Sequence, residues 1–154
     1  MSFIAVQPPE QTETTITSDP FWPEIQLNDL RYAMRLDGTV TDDRLKHAAI
    51  DAVISANRDL EAYRQRQTID GHGHLEEVPA ALVNGKSELC YLYRRAVYSH
   101  ASANLIERLR DYDSTKQGET RAESLDQTII DLRRDARFSI RKILGITHTT
   151  VELI

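Results

Sequence analysis

The side chains best suited to chemistry lie in a glycine-rich stretch near the middle of the chain. Residues 71–74 have the sequence Gly-His-Gly-His, and Glu76 and Glu77 follow. Imidazole and carboxylate groups are common zinc ligands, so a small metal-dependent hydrolase using His72, His74 and Glu76 is one hypothesis. We nevertheless expect no metal or other cofactor. A glycine-rich backbone gives two histidines no fixed geometry, and no second histidine or cysteine cluster completes the set.

Two other reactive side chains lie in predicted helices. Cys90 is the only cysteine, so no disulfide can form within this sequence, and a buried structural thiol is favoured over a nucleophile. His100 lies on the apolar side of its helix without catalytic companions, which predicts a hydrogen-bonded core histidine rather than a general base. The sequence contains no phosphate loop, nucleophile elbow or zinc spacing, so we expect a protein that is not an enzyme.

A stripe of basic side chains follows one flank of the last predicted helix: Arg133, Arg134, Arg137 and Arg141. The helical wheel places Asp131 and Asp135 away from this stripe. The stripe is either a solvated face paired with acids of a neighbouring helix, or the lining of a surface that a polyanion passes.

Composition restricts the class of protein further. The 154 residues are 40% hydrophobic and 28% charged, which is typical of one soluble globular domain. The net charge is −5, and the chain before Gln26 carries four acidic and no basic side chains. Bulk charge therefore gives no support for a nucleic-acid-binding protein. No stretch approaches the roughly 20 apolar residues of a membrane span, and no signal-peptide pattern is present.

The longest predicted helix covers residues 41–69, which contain neither glycine nor proline. Thr41 is well placed to cap its first amides. At 100° per residue one face collects the apolar positions Leu45, Ala48, Ala49, Ala52, Val53, Ala56, Leu60 and Tyr63. Ile50 and Ile54 lie away from that face, which predicts a second contact surface.

Three further helices are predicted over residues 28–36, 87–112 and 121–144, the last of which ends at Gly145. The helix over 87–112 has apolar side chains on two opposite faces, so it either bends or packs against two neighbours. Together the helices predict an all-α fold, a bundle of about four helices with an extended N-terminal arm and a C-terminal tail.

The predicted organisation has an arm over residues 1–25, a helical bundle domain over 26–145 and a docking tail over 146–154. Phe21 and Trp22 are predicted to staple the first helix to the bundle, and the alternative makes Trp22 an interface anchor. The irregular stretch before the third helix includes the apolar residues 78–83. We expect them to pack against something, because they are apolar for a loop. Long loops in compact domains are also often functional.

Three segments carry a resemblance to a known family. They are Phe-Trp-Pro-Glu-Ile at 21–25, Met-Arg-Leu-Asp-Gly-Thr-Val-Thr at 34–41, and the long alanine-rich helix that opens at Arg44 and contains Asn57 and Leu60. On these residues the chain resembles the head completion, or head stabilisation, proteins of contractile-tailed temperate bacteriophages. The resemblance runs through most of the chain, and it implies a structural virion protein of the head–tail connector adaptor type.

The resemblance also implies partners and a location. Such a protein binds the portal protein ring after DNA packaging, completes and stabilises the filled head, and offers the platform for tail attachment by a tail or neck protein. It forms a dodecameric ring with copies of itself, and packaged DNA passes the channel without tight binding. The expected location is the head–tail neck of the virion, with host cytoplasm during assembly and no membrane contact. The alternative is a helical DNA-binding or packaging-regulator subunit that uses its last helix.

Three groups of residues follow as site predictions. Subunit contacts are expected from apolar side chains off the main packed faces, although some of these must also serve the core: Ile50, Ile54, Tyr98, Leu105, Leu109 and Phe138. The predicted DNA channel lining consists of Arg133, Arg137 and Arg141. The predicted portal-binding residues are Val151, Leu153 and Ile154, because the tail is β-branched, follows a helix end and has no internal strand partner.

Overall fold

A computed structural model describes residues 14–112 and 118–146 of the chain. Its helices in this part are α1 (Leu27–Ala33), α2 (Asp42–Asp59), α3 (Glu61–Ile69), α4 (Glu88–Tyr112) and α5 (Gly118–Ile143). Two short antiparallel pairs accompany them, β1 (Thr15–Ile16) with β2 (Ile25–Gln26) and β3 (Leu82–Val83) with β4 (Lys86–Ser87). The fold is mainly α, so the prediction of a purely all-α protein is wrong in this detail.

Helix α4 is the centre of the fold. It packs against both α2 and α5, which hardly touch each other. Its small side chains, among them Ala96, Ala101 and Ala103, are fully buried and let both neighbours approach closely. The two apolar faces predicted for this helix are therefore explained by two neighbours.

The alanine-rich face of the second predicted helix is confirmed, and all eight of its residues are buried. The single helix over 41–69 is wrong, because the helix is interrupted at Leu60 (φ −103°, ψ 6°). Leu60 is completely buried, and the segment beyond it is tied to the N-terminal chain by an ion pair of 3.4 Å between Arg64 and Asp19. The interruption follows from these tertiary contacts, so neither glycine nor proline marks it.

The second half of the predicted arm is part of the folded core. Ile16, Phe21, Trp22 and Ile25 are all buried, and the β1–β2 pairing closes the segment on itself. The predicted aromatic staple is confirmed because Trp22 packs on α4. Trp22 is only 5% exposed, so the interface-anchor alternative is wrong.

The stretch before α4 is less irregular than predicted. A short 3₁₀ helix (Leu75–Glu77) is followed by the β3–β4 hairpin, whose two-residue turn has positive φ at Asn84 (50°) and Gly85 (75°). Asn-Gly is the preferred sequence for such a turn. Val78 is buried, but residues 79–83 are exposed. The expected packing of 78–83 within the subunit therefore holds only for Val78.

Both predicted helix caps are present. The Thr41 hydroxyl accepts a hydrogen bond of 3.4 Å from the amide of Arg44 at the start of α2. After α5, Gly145 adopts φ 71°, and the amide of Ile146 donates to the Arg141 carbonyl at 3.0 Å. Only glycine adopts this left-handed conformation without strain, so the helix ends here. The predicted tail beyond Ile146 lies outside the described residues.

Candidate functional site

The histidine-rich segment is hydrogen-bonded to the backbone of the N-terminal segment. His74 Nδ1 donates a hydrogen bond of 2.7 Å to the Pro20 carbonyl, and the Leu75 amide donates to the Phe21 carbonyl at 2.8 Å. The Gly73 amide donates to the Glu77 carboxylate at 2.7 Å. Within residues 14–112 and 118–146, no three His, Cys, Asp or Glu side chains are close enough to hold a metal ion. The geometry therefore gives the hydrolase hypothesis no support.

The two other reactive side chains are buried to different extents. Cys90 lies in the core, where burial raises the pKa of its thiol and disfavours the reactive thiolate. His100 is half-buried, and its pKa is lowered first by burial and then by the nearby positive charge of Arg133. Its Nε2 atom has no hydrogen-bond partner in the part of the chain that the structure describes. The hydrogen bond expected for this core histidine is therefore missing at Nε2.

Two of the four arginines in the stripe form ion pairs within the subunit. Arg133 forms a two-pronged ion pair with Glu107 of α4, with distances of 2.5 and 3.2 Å, and also contacts Asn104. This pair matches the alternative in which the stripe meets acids on a neighbouring helix.

Arg134 contacts two acids of its own helix, Asp131 at 2.9 Å and Asp135 at 3.3 Å. The prediction that these aspartates point away from the stripe is wrong. A flexible arginine side chain reaches residues one and three positions away along the helix surface.

The other half of the stripe is open. Arg137 and Arg141 are exposed, and no acidic group among residues 14–112 and 118–146 lies within 4 Å of either. Ile130 lies on the same outer surface of α5 and is 57% exposed. Ile130 was not among the residues predicted to form a contact, although the helical wheel places it between the two arginines. The outer surface of α5 therefore combines positive charge with an apolar side chain.

The predicted subunit contacts divide into three groups. Ile54, Leu109 and Phe138 are 52%, 40% and 37% exposed. Ile50 and Tyr98 are half-buried against the core. Leu105 is only 4% exposed and belongs to the core within the subunit, so its side chain is not available to a neighbour.

A further apolar surface lies where β3 and β4 approach the end of α5, and we name it the hairpin surface. Its exposed members are Val83 (53%), Tyr91 (38%) and Ile146 (47%), and Leu82 (71%), the preceding residue of β3, is exposed as well. Val83, Tyr91 and Ile146 line one shallow groove of about 630 Å³. The Asn-Gly pair after two apolar residues is a sequence signal for this hairpin, which was not predicted.

The hairpin surface is also where the described chain ends. Ile146 is the last described residue, and the predicted portal-binding residues Val151, Leu153 and Ile154 lie five to eight positions further along the chain, outside the described residues. Eight residues separate Ile146 from the end of this sequence. The predicted tail therefore begins, at Ile146, on the hairpin surface.

None of the helices in residues 14–112 and 118–146 combines the length and apolar character that crossing a lipid bilayer requires.

Residues 16–154 match the family described as phage head completion protein (GPL). The head completion/stabilization protein of Escherichia phage P2 is 34% identical over 151 residues, covering 98% of this chain and 89% of that protein. The probable head completion/stabilization protein of Haemophilus phage HP1 (strain HP1c1) is 21% identical over 142 residues, covering 92% of this chain and 93% of that protein. No solved structure matches the chain.

The family match includes all of the helices α1 to α5 and both strand pairs except the first residue of β1. The exposed surfaces described above include apolar side chains such as Ile54 and Val83 and the basic side chains of Arg137 and Arg141. The resemblance at residues 21–25 and 34–41 and the matches to known proteins agree. The chain belongs to the family of phage head completion proteins.

Proposed function

We propose that this protein binds the portal vertex after DNA packaging, completes and stabilises the filled head, and provides the platform on which the tail joins. The observation that carries the proposal is the exposed hairpin surface beside the start of the C-terminal tail. Val83, Tyr91 and Ile146 are exposed together on one groove, and a contiguous apolar surface of this kind suits a contact with a partner. The hairpin surface and the tail would form one composite docking end.

The tail would supply its apolar side chains Val151, Leu153 and Ile154 to the portal. Burying one such side chain is worth roughly 1.5–3 kcal/mol. Ordering the tail costs about 1–2 kcal/mol per residue in backbone entropy. These opposing free energies nearly cancel, so a single subunit would dock weakly. Many subunits held together would bind with high avidity, because each docking event raises the local concentration of the next tail.

Self-association into a ring, dodecameric by family resemblance, is the second part of the proposal. Since α2 and α5 flank α4, their outer surfaces lie on different sides of the subunit. Ile50 and Ile54 on α2 and Phe138 on α5 would contact neighbouring copies, with Leu109 at the end of α4. A subunit with different contact surfaces on two flanks forms heterologous interfaces, and these form a ring when the rotation between neighbours closes.

Passage of DNA through the ring is the third part. Arg137 and Arg141 would face the channel, and Arg133 would stand beside them in its ion pair with Glu107. Two exposed arginines per copy on a protein of net charge −5 favour weak contact with passing DNA over tight binding. The DNA-binding alternative would need the whole stripe, and Arg133 and Arg134 are engaged by acids of this subunit.

The location follows from these contacts. The protein would join the portal protein ring in the host cytoplasm during assembly and remain at the head–tail neck of the virion. A tail or neck protein would bind the side of the ring that faces away from the portal.

The proposal is tested by a truncation and a matched pair of substitutions. Deleting residues 147–154, or replacing Leu82 and Val83 by Asp, should leave a folded subunit that no longer binds purified portal protein, as measured by the mass of the complex in solution. DNA-filled heads completed with either variant should lose their DNA. The control is Tyr32→Asp, which changes an 83% exposed side chain on α1 and should bind normally.

The outcomes distinguish the two halves of the docking end. Normal portal binding by the truncated protein together with loss of binding by the hairpin variant would assign the contact to Leu82 and Val83 alone. Normal binding by both variants would overturn the proposed docking end.

A further inference from the structure

The β3–β4 hairpin has an open edge along β3. Among the described strands β3 pairs only with β4, so its other side has no strand neighbour. Residues 79–83, with the sequence Pro-Ala-Ala-Leu-Val, are all exposed. Proteins usually protect such edges with charged side chains, with proline or by keeping the strand short. Pro79 and the shortness of β3 limit this edge, but none of its side chains is charged.

The register of the hairpin fixes the direction of the backbone groups of Leu82. Leu82 lies opposite Ser87, and the amide of the next residue, Glu88, donates a hydrogen bond of 2.9 Å to the Ala81 carbonyl. Hydrogen-bonded and non-hydrogen-bonded pairs alternate along an antiparallel ladder, so Leu82 and Ser87 form a non-hydrogen-bonded pair. The N–H and C=O groups of such a pair point away from the partner strand. The Leu82 amide and carbonyl therefore point out from the open edge.

These two backbone groups are available to a partner. Among residues 14–112 and 118–146, neither the amide nor the carbonyl of Leu82 has a hydrogen-bond partner outside the hairpin. The Leu82 side chain is 71% exposed, and the Val83 side chain lines the shallow groove of the hairpin surface. An extended backbone with outward hydrogen-bonding groups and exposed apolar side chains is the arrangement to which a further strand adds.

Charge does not select what binds at this edge. The groove of the hairpin surface is lined by one acidic side chain, Glu88, and one basic side chain, Lys142. Lys86 lies opposite Val83 and adds one positive charge to the hairpin. The other residues of the groove are aliphatic, a tyrosine and a glycine. Recognition therefore depends on backbone hydrogen bonds and apolar contacts, which suits an extended apolar segment.

We propose that an extended apolar segment of the portal protein adds to β3 as a third strand of the hairpin sheet. This inference rests on the proposed portal contact at the hairpin surface and states how that contact is made. The Leu82 amide would donate a hydrogen bond to the added strand, and the Leu82 carbonyl would accept one from it. The side chains that pack on Leu82 and Val83 would be β-branched or aromatic, because such residues suit a pleated, half-buried surface.

A second copy of this chain is the alternative occupant of the open edge. Two β3 strands that pair with each other would form an isologous contact, which joins two copies and leaves no β3 edge for a third. The proposed ring instead needs different contacts on two flanks, and its candidate residues lie on α2 and α5. The open edge is continuous with the hairpin surface, where the proposed portal contact lies. A portal strand is therefore the better match.

Portal binding by Leu82→Pro and Leu82→Ala tests the proposal. Both variants lack the leucine side chain, so alanine is the matched control, and only proline also lacks the outward amide. Proline is tolerated on edge strands where the N–H faces solvent. Leu82→Pro should bind purified portal protein about fivefold more weakly than Leu82→Ala, because one backbone hydrogen bond is lost.

Equal binding by these two variants would overturn strand addition. It would leave the proposed function standing, because replacing Leu82 and Val83 together by Asp tests the portal contact itself. Strand addition and the portal contact can therefore fail separately.

Hydrogen exchange of the unchanged protein gives a second readout that needs no substitution. The Leu82 amide should exchange at least about tenfold more slowly in the complex with portal than in the protein alone. The amide of Gly38, in the exposed turn before α2, should not change. Unchanged exchange at Leu82 in the complex would overturn the proposal. Slow exchange that develops as the protein alone is concentrated would overturn it too, and would assign β3 to pairing between copies.

Discussion

The indole of Trp22 stacks on the phenol ring of Tyr93, with ring centroids 4.9 Å apart and planes within 5° of parallel. Phe21 meets the same indole edge to face at 4.7 Å. Tyr93 is fully buried, and its hydroxyl donates a hydrogen bond of 2.6 Å to the Asn57 side chain of α2. The aromatic stack joins the N-terminal segment to α4, and the Tyr93 hydrogen bond joins α4 to α2.

Replacing Trp22 by Ala should destabilise the subunit by about 3–5 kcal/mol, because a large buried side chain leaves a cavity that the core cannot fill. The loss is measured by chemical denaturation. Tyr32→Ala is the control, since a side chain that is 83% exposed should change the free energy of unfolding by less than about 0.5 kcal/mol. Equal stability of the two variants would contradict the staple.

Tyr93→Phe should cost about 1–3 kcal/mol of folding stability, because it removes the hydrogen-bond donor to the Asn57 side-chain oxygen while keeping the aromatic stack. The Asn57 amide also donates to the Ser18 hydroxyl at 3.1 Å. A double-mutant cycle with Asn57→Ala should give a coupling energy above about 0.5 kcal/mol. A strictly additive double variant would mean that the two side chains do not act together.

His100 should make folding stability depend on pH. Burial holds its pKa below the ordinary value of 6.5, so below that pH the unfolded chain binds a proton that the folded protein excludes. Stability should therefore decrease as pH falls below about 6.5. The groups that act on the imidazole charge are Arg133 and Asp59.

His100→Gln should flatten this dependence in chemical denaturation at a series of pH values. Asp37 and Glu61 also have shifted pKa values, but theirs are lowered by hydrogen bonds from Thr39 and Arg64 and act in a more acidic range. The same decrease in the Gln variant would assign the pH dependence to another group.

The arginine stripe should separate into two parts when tested residue by residue. Arg133→Ala should lower subunit stability by up to about 1 kcal/mol, because it removes a half-exposed ion pair with Glu107. Replacing Arg137 and Arg141 together by Ala should leave unfolding unchanged within about 0.5 kcal/mol. That double variant should instead disturb DNA retention or passage in assembled particles. Normal infectious particles from it would remove the proposed channel role.

Ile54→Glu should leave the isolated subunit folded but weaken its self-association. The side chain is 52% exposed, so the change in unfolding free energy should stay within about 0.5 kcal/mol. A charge in an apolar subunit interface should shift the mass distribution in analytical ultracentrifugation toward single subunits. Ile69→Glu is the matched control, because Ile69 is 84% exposed and lies outside the proposed contact set. Unchanged assembly by Ile54→Glu would exclude α2 from the ring contact.

The sequence by itself determined the helical core and its main faces. The buried face of α2 followed from a period of 3.6 residues, since every position from Leu45 to Tyr63 on that face is buried. The cap at Thr41 and the end at Gly145 followed equally directly, because capping depends on the local backbone and one side chain. The family resemblance also required no tertiary information.

Only the tertiary structure decided which exposed and charged side chains were already engaged. Leu105 and Ile54 both lie off the faces predicted to be packed, yet Leu105 is buried and Ile54 is half exposed, because a second helix covers one and not the other. Arg133 and Arg137 belong to one stripe, but only Arg133 meets the acid of α4. Such differences depend on contacts between residues far apart in the chain, and the periodicity of one helix contains no information about its neighbours.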